Sequence, residues 1–121
     1  MTAQETAARY YDAWQNRHGD MSDVPLADDL QFTGPVASFD TAEGYRAMAR
    51  EAGATITNFT VRRQFVAGDQ VCSIIDWEMA IPGTGLMTSA ELLEVRDGVI
   101  VRGELIYDGE PLRRAMAQAG G

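Results

Sequence analysis

The spacing of apolar residues changes character near the middle of the chain. In the first half they recur at the three- and four-residue intervals of a helix with one buried face, as Ala7, Tyr10 or Tyr11, and Trp14 do. This pattern predicts a first helix over residues 3–17. Tyr10 and Tyr11 compete for one inward position, and helical spacing alone does not choose between them.

Three further elements are predicted before the midpoint. A short helix is favoured from Val24 to Ala27, because a proline suits the first turn of a helix. Leu30 to Thr33 has the pattern of a short strand. A longer helix then runs to about Glu51, with Asp40 or Thr41 as its cap.

The second half is rich in β-branched residues and is divided by glycine-containing turns, a pattern typical of antiparallel strands. The predicted strands are Ile56 to Val66, Val71 to Ile81, Met87 to Arg96 and Val99 to Tyr107. A terminal helical turn is predicted from Leu112 to Ala117. The chain is therefore expected to be an α+β protein, with helices in its first half and a four-stranded meander in its second.

Length and composition indicate one globular domain and limit where in the cell it is expected. The chain has 121 residues, the size of a single domain. No apolar run approaches the roughly 20 residues of a membrane span, and the N-terminus has no signal-peptide pattern. One cysteine, Cys72, excludes an internal disulfide. We expect a cytoplasmic protein without membrane contact.

Charge and residue usage exclude several kinds of chemistry. The net charge of −8 would repel a polyanion, so nucleic acid is not an expected partner. All ten basic residues are arginines, which excludes a lysine Schiff base. The single histidine, His18, cannot build a metal cluster, and no phosphate-binding or dinucleotide motif is present. No metal and no cofactor are therefore expected.

Four short stretches give the chain a family likeness. They are Tyr10-Tyr11-Asp12-Ala13-Trp14, Leu26-Ala27-Asp28-Asp29-Leu30, Phe32-Thr33-Gly34-Pro35, and Asp97-Gly98-Val99-Ile100 leading to Ile106-Tyr107-Asp108. Together with the order of elements, they resemble the SnoaL-like group of the nuclear transport factor two-like superfamily. The resemblance implies one SnoaL-like domain over residues 1–121, a cone-like fold in which N-terminal helices pack on a curved antiparallel sheet and enclose a pocket.

This superfamily includes ketosteroid isomerases, polyketide cyclases, epoxide hydrolases and non-catalytic binding domains, so its fold does not choose a function. By resemblance, Tyr10 and Glu91 fall where ketosteroid isomerases place two oxyanion hydrogen-bond donors. The isomerase's proton-transferring aspartate would precede Pro35, where this chain has Gly34. The last-strand aspartate of the epoxide hydrolases would fall at Leu105. Neither reaction is expected to transfer directly.

Strand alternation adds a candidate acid pair. If the loop at residues 82–85 closes a hairpin, Asp76 lies opposite Glu91 on one apolar face. A three-residue turn at 96–98 extends that face into the last strand. The other residues predicted on it are Ile74, Glu78, Met87, Ser89, Leu93, Val95, Val99, Val101, Leu105 and Tyr107.

Two opposed carboxyls in an apolar cavity should share one proton, because repulsion and desolvation both raise a carboxyl pKa. Asp76 and Glu91 are therefore the predicted acid–base pair, with Tyr10 as hydrogen-bond donor. The alternative is that one acid pairs with Arg63 or lies in water at the rim. The predicted substrate-binding residues are Trp14, Phe32, Glu78, Met87, Leu105 and Tyr107.

The opposite face of the predicted sheet carries an apolar stripe of Ile75, Trp77, Met79 and Leu92, which should not face water. It predicts a two-fold homodimer through the outer sheet face. The leading functional hypothesis is a cofactor-free acid–base enzyme that isomerises, cyclises or hydrates a small hydrophobic, oxygen-bearing molecule. The alternative is a non-catalytic ligand-binding or dimerisation domain.

Overall fold

A computed structural model describes residues 1–120 of the chain. Within them, three helices accompany one curved, unclosed sheet of six strands. In chain order the elements are α1 (Ala3–Asn16), β1 (Leu26–Thr33), β2 (Ser38–Phe39), α2 (Ala42–Gly53), β3 (Ile56–Ala67), β4 (Gln70–Met79), β5 (Leu86–Arg96), β6 (Val99–Ile106) and α3 (Glu110–Gly120). The strand order across the sheet is β2-β1-β6-β5-β4-β3. Strands β1 and β6 pair in parallel, and the other neighbouring strands pair antiparallel. The predicted α+β class and the four-stranded meander are confirmed.

Helices α1 and α2 begin where side chains can satisfy the free backbone N–H groups of a first turn. Thr2 and Glu5 form a reciprocal capping box at the start of α1. The Thr41 hydroxyl accepts from the backbone N–H of Gly44 at the start of α2. Both helices bury one face in the same core as the inner face of the sheet.

The prediction of a short helix from Val24 to Ala27 is wrong, because β1 already begins at Leu26. The Pro25 carbonyl accepts a hydrogen bond from the backbone N–H of Ile100, 2.9 Å away, and Leu26 pairs with Ile100 in parallel. A long-range sheet partner therefore overrides the local preference of a proline for a first helical turn.

The register of β4 against β5 also differs from the prediction. Asp76 lies opposite Thr88, and Glu91 lies opposite Ser73. The connecting loop is longer than predicted, because β4 ends at Met79 and β5 begins at Leu86. Glu91 thus pairs with a residue three positions before the predicted one on β4. A displacement by an odd number of residues turns every side chain of a strand to the other face of the sheet. The predicted face of β5 is correct, whereas that of β4 is reversed.

The predicted outer stripe is consequently wrong for its three β4 residues, whereas Leu92 of β5 lies on the outer face as predicted. Ile75 and Trp77 are 2% and 8% exposed and belong to the core, on the inner face of the sheet. Met79 also turns inward, where it lines the cavity described below. A dimer that uses Trp77 therefore loses its structural basis, while a homodimer through the outer face stays a prediction.

The turn between β5 and β6 combines a tight connection with a bulge. Asp97 and Gly98 have φ of 52° and 75°, and Arg96 pairs directly with Val99, so the turn has two residues rather than the predicted three. The register then shifts at Val101, which has no partner between two paired neighbours. Val99 and Val101 are partly exposed, so their predicted place on the inner face is wrong, whereas the bulge restores Leu105 to that face.

Candidate functional site

A cavity of about 380 Å³ lies between the helices and the inner face of the sheet. Its volume is in the range of small-molecule sites. The residues that line it are Trp14, Phe32, Gly34, Pro35, Val36, Ala37, Phe39, Tyr45, Met48, Glu51, Ala52, Thr55, Ile56, Phe59, Trp77, Met79, Ile81, Glu91, Leu105, Tyr107, Leu112 and Met116. Most of these side chains are apolar, so the cavity suits a ligand whose surface is largely apolar.

Aromatic rings form much of the cavity wall and hold one another in place. Their packing leaves ring faces and edges as the principal contact surface for a ligand. The paired rings, with the distances between their centroids, are Trp14 and Phe59 at 5.9 Å, Phe32 and Tyr45 at 4.6 Å, and Trp77 and Tyr107 at 5.2 Å. Burial raises the pKa of Tyr107, which therefore stays neutral.

Glu91 is the buried acid of this wall. It projects from the inner face of β5 and is 3% exposed. The Tyr10 hydroxyl donates to Glu91 Oε2 at 2.8 Å, and the Tyr10 and Tyr45 hydroxyls are in hydrogen-bond contact with each other. A hydrogen-bonded chain thus runs from Tyr45 on α2 through Tyr10 on α1 to Glu91 on the sheet.

Burial determines the protonation states of the three residues in this hydrogen-bonded chain. Desolvation raises the pKa of Glu91 to about 7, and the hydrogen bond from the Tyr10 hydroxyl offsets part of that effect. Burial, reinforced by the nearby Glu91 charge, raises the pKa of Tyr10 and Tyr45 well above the usual range. Of these three residues, Glu91 is therefore the one that can exchange a proton near neutral pH, whereas Tyr10 and Tyr45 keep their hydroxyl protons.

The predicted pairing of Asp76 with Glu91 is wrong. Asp76 lies on the outer face, where Oδ1 accepts from the Thr88 hydroxyl at 2.7 Å and Oδ2 lies 3.4 Å from Arg62 Nε. Its side chain is 24% exposed. The alternative of an acid paired with an arginine of the neighbouring strand thus holds for Asp76, with Arg62 rather than Arg63 as partner. Asp76 takes no part in the cavity.

The remaining predicted site residues divide into two groups. Trp14, Phe32, Leu105 and Tyr107 line the cavity, as the prediction required of substrate-binding residues. Met87 is buried in the core, opposite Trp77 on the neighbouring strand, rather than in the cavity wall. Glu78 lies between the inward-facing Trp77 and Met79 and so points to the outer face. The predicted roles of Met87 and Glu78 at the cavity are therefore wrong.

Sequence reasoning missed the contribution of α2. Tyr45, Met48 and Ala52 lie three and four residues apart, and all three line the cavity. Helical periodicity in this segment could have identified them as one inward stripe. The choice between Tyr10 and Tyr11 also resolves differently from the prediction, because both are buried, at 1% and 3% exposure.

Charge in the cavity wall is of one sign. Two acids line it, buried Glu91 and exposed Glu51, and among the described residues no arginine or histidine does. In the same part of the chain, no three histidine, cysteine or acidic side chains stand together as a metal site would require. None of the helices over residues 1–120 has the length and apolar character to cross a membrane.

Residues 7–103 match the SnoaL-like domain family, and the chain belongs to it. No curated protein matches the chain in sequence. Among solved structures, a Kribbella flavida protein is 25% identical over 97% of this chain and 96% of its own, with a TM-score of 0.80. The fold is therefore that of the nuclear transport factor two-like superfamily.

Two further structures show the range of proteins that share this fold. A Catenulispora acidiphila protein with a ketosteroid isomerase-like fold, in complex with trimethylamine, is 21% identical over 96% of this chain and 92% of its own, with a TM-score of 0.74. An epoxide hydrolase of M. tuberculosis is 16% identical over 96% and 90%, with a TM-score of 0.71. At these identities the likeness concerns the fold alone.

Proposed function

We propose that this protein is a cofactor-free acid–base catalyst that acts on a small hydrophobic, oxygen-bearing molecule by isomerisation, cyclisation or hydration. The observation that carries the proposal is Glu91, a carboxyl that is 3% exposed, has no cationic partner within residues 1–120 and lines an apolar cavity. A protonated carboxyl in such a place can donate a hydrogen bond to a ligand oxygen, and its conjugate base can remove a proton.

The tyrosine chain supports the same chemistry. Tyr10 donates to one oxygen of Glu91, and Tyr45 contacts the Tyr10 hydroxyl, so negative charge on Glu91 is stabilised by a donor that is already in place. Gly34 lines the cavity where the resemblance would place a second acid. In this protein Glu91 therefore both delivers and removes the proton, in place of the predicted pair.

Hydrogen exchange at the α-carbon of ketones tests the proposal without knowledge of the natural substrate. We expect the protein to accelerate deuterium incorporation into cyclohexanone and larger cyclic ketones near pH 7, followed by NMR. Glu91→Gln should reduce this acceleration by about 100-fold or more. Asp76→Asn is the matched control, because it removes a carboxyl from the neighbouring strand on the outer face, and it should retain the wild-type rate. No acceleration by the wild-type protein with any ketone of the series would contradict the proposal.

A second candidate, binding of a small alkylammonium without turnover, is favoured by the composition of the wall. Aromatic rings attract organic cations, and the two charged residues that line the cavity, Glu51 and Glu91, are both acids. The Catenulispora acidiphila protein that was solved with trimethylamine shares the fold. A cation would bind the ionised form of Glu91, whereas a ketone oxygen would bind the protonated form.

Proton linkage separates the two candidates. With the pKa of Glu91 at about 7, trimethylammonium binding near pH 7 should release protons and cyclohexanone binding should take them up. Calorimetry in two buffers of different ionisation enthalpy measures the sign. Tight trimethylammonium binding with proton release, together with no ketone binding, would favour the amine-binding candidate over the catalyst.

A further inference from the structure

Two buried hydroxyls near Glu91 have no hydrogen-bond partner in the part of the chain that the structure describes. They are the Tyr11 hydroxyl on α1 and Ser73 Oγ on β4. Ser73 is fully buried and Tyr11 is 3% exposed, so bulk water does not satisfy either group. A buried hydroxyl without a hydrogen-bond partner destabilises the folded state and is uncommon in proteins. A functional role would explain why these two hydroxyls differ from the others in the core. Ser89, for example, accepts from Trp77 Nε1 at 2.6 Å.

Both hydroxyls adjoin the same carboxyl. Ser73 is the direct cross-strand partner of Glu91, and side chains at such positions lie on the same face of the sheet. The Tyr11 ring packs edge-on against the Tyr10 ring, with centroids 5.0 Å apart. Burial, followed by the charge of the nearby Glu91, raises the pKa of Tyr11. Glu91 thus has the Tyr45–Tyr10 chain on one side and the Tyr11–Ser73 pair on the other.

We propose that Tyr11 and Ser73 are positioning residues that form a second hydrogen-bonded branch to Glu91 when its carboxyl is ionised. Ser73 donates to the Tyr11 oxygen, and Tyr11 donates to the carboxylate. The proton that leaves Glu91 goes to the substrate or to solvent, and both tyrosines keep theirs, because burial raises their pKa. The inference rests on the proposed function, in which Glu91 alternates between its acid and base forms.

The branch explains how a carboxyl in an apolar wall can act as a base at all. The groups that face Glu91 are Tyr10 and Tyr11 from α1, Tyr45 from α2, Ser73 from β4 and Leu105 from β6, and none of them carries a charge near pH 7. Hydrogen bonds are then the available means of stabilising the carboxylate. Tyr10 alone supplies one donor, and Tyr11 supplies a second only in the ionised state.

NMR titration of protein labelled with ¹³C at the glutamate carboxyls tests the branch without any substrate. Tyr11→Phe should raise the midpoint of the Glu91 titration by about one pH unit, because a donor to the charged form is lost. Ser73→Ala should raise it by less. The double variant should match Tyr11→Phe, because Ser73 acts through Tyr11. Thr88→Ala, which removes a hydroxyl from the outer face of β5, should leave the midpoint unchanged.

An unchanged midpoint in folded Tyr11→Phe would overturn the proposal, as would fully additive shifts in the double variant. If Tyr11→Phe does not fold, the Ser73→Ala variant tests the proposal instead. An unshifted Glu91 midpoint in that variant would then overturn the proposal. The ketone assay is read separately. A shifted titration without any ketone exchange would retain the branch and reject the proposed catalysis.

Discussion

Glu91→Gln is expected to stabilise the folded protein by about 3 kcal/mol near pH 8 and to change its stability little near pH 4. Burial raises the pKa of Glu91 from 4.5 to about 7. Below pH 4.5 the folded and unfolded forms both carry the proton. Between pH 4.5 and 7 only the unfolded chain releases it, so the wild-type protein loses stability as pH rises through this window and gains none back above it.

Glutamine removes this loss while conserving the shape of the side chain, because its amide oxygen can still accept from the Tyr10 hydroxyl. Urea unfolding at several pH values measures the difference between variant and wild type. Asp76→Asn, on the outer face, should show no such gain near pH 8. An equal effect of Glu91→Gln at both ends of the pH range would show that Glu91 has an ordinary pKa in the folded protein.

Gly53→Ala is expected to destabilise the fold by about 3 kcal/mol or more, because the added methyl group would meet backbone rather than a movable side chain. A Cβ on Gly53 would lie 2.0 Å from the His18 carbonyl oxygen and 2.6 Å from the Gly19 nitrogen. Gly19 in turn has a φ of +78°, and a Cβ added there would lie 2.0 Å from the Ala49 carbonyl oxygen. The C-terminal ends of α1 and α2 therefore meet backbone to backbone at this point.

Gly44→Ala, an identical substitution in the same helix, is the control. Its Cβ would lie 3.2 Å from the Thr41 hydroxyl oxygen, and alanine favours a helix by about 1 kcal/mol over glycine. We expect a change in the free energy of unfolding within about 1 kcal/mol for this variant. Thermal unfolding of both variants checks the contrast. A loss at position 53 no larger than that at position 44 would show that the contact between the helix ends can relax.

The contact between α1 and α2 also matters for the cavity. Tyr10 and Tyr45 belong to these two helices, and their hydroxyls meet in front of Glu91. A displacement of one helix end would move one tyrosine relative to the other. Gly53→Ala, if folded, should therefore also reduce the proposed ketone exchange, whereas Gly44→Ala should leave it near the wild-type rate.

The elements of the second half could be predicted from sequence because their signals are local. Turn residues such as Asp97-Gly98 adopt left-handed φ values that few other pairs tolerate, and the alternation along β5 correctly predicted that Glu91 faces inward. The face of β4 could not be predicted in the same way. It depends on where the hairpin register begins, which here is the pairing of Glu78 with Leu86.

The sequence by itself determined the α+β class, the family, the inward carboxyl at Glu91 and the aromatic character of its surroundings, because each depends on residue type and short-range periodicity. The tertiary structure alone decided which groups face that carboxyl. A three-residue displacement between two strands moved Asp76 outside and brought Ser73 opposite Glu91, and the docking of α1 and α2 brought three tyrosines to it. Register and helix docking are set by contacts between residues far apart in the chain. The periodicity of apolar residues within one strand or helix does not depend on those contacts, so it cannot predict them.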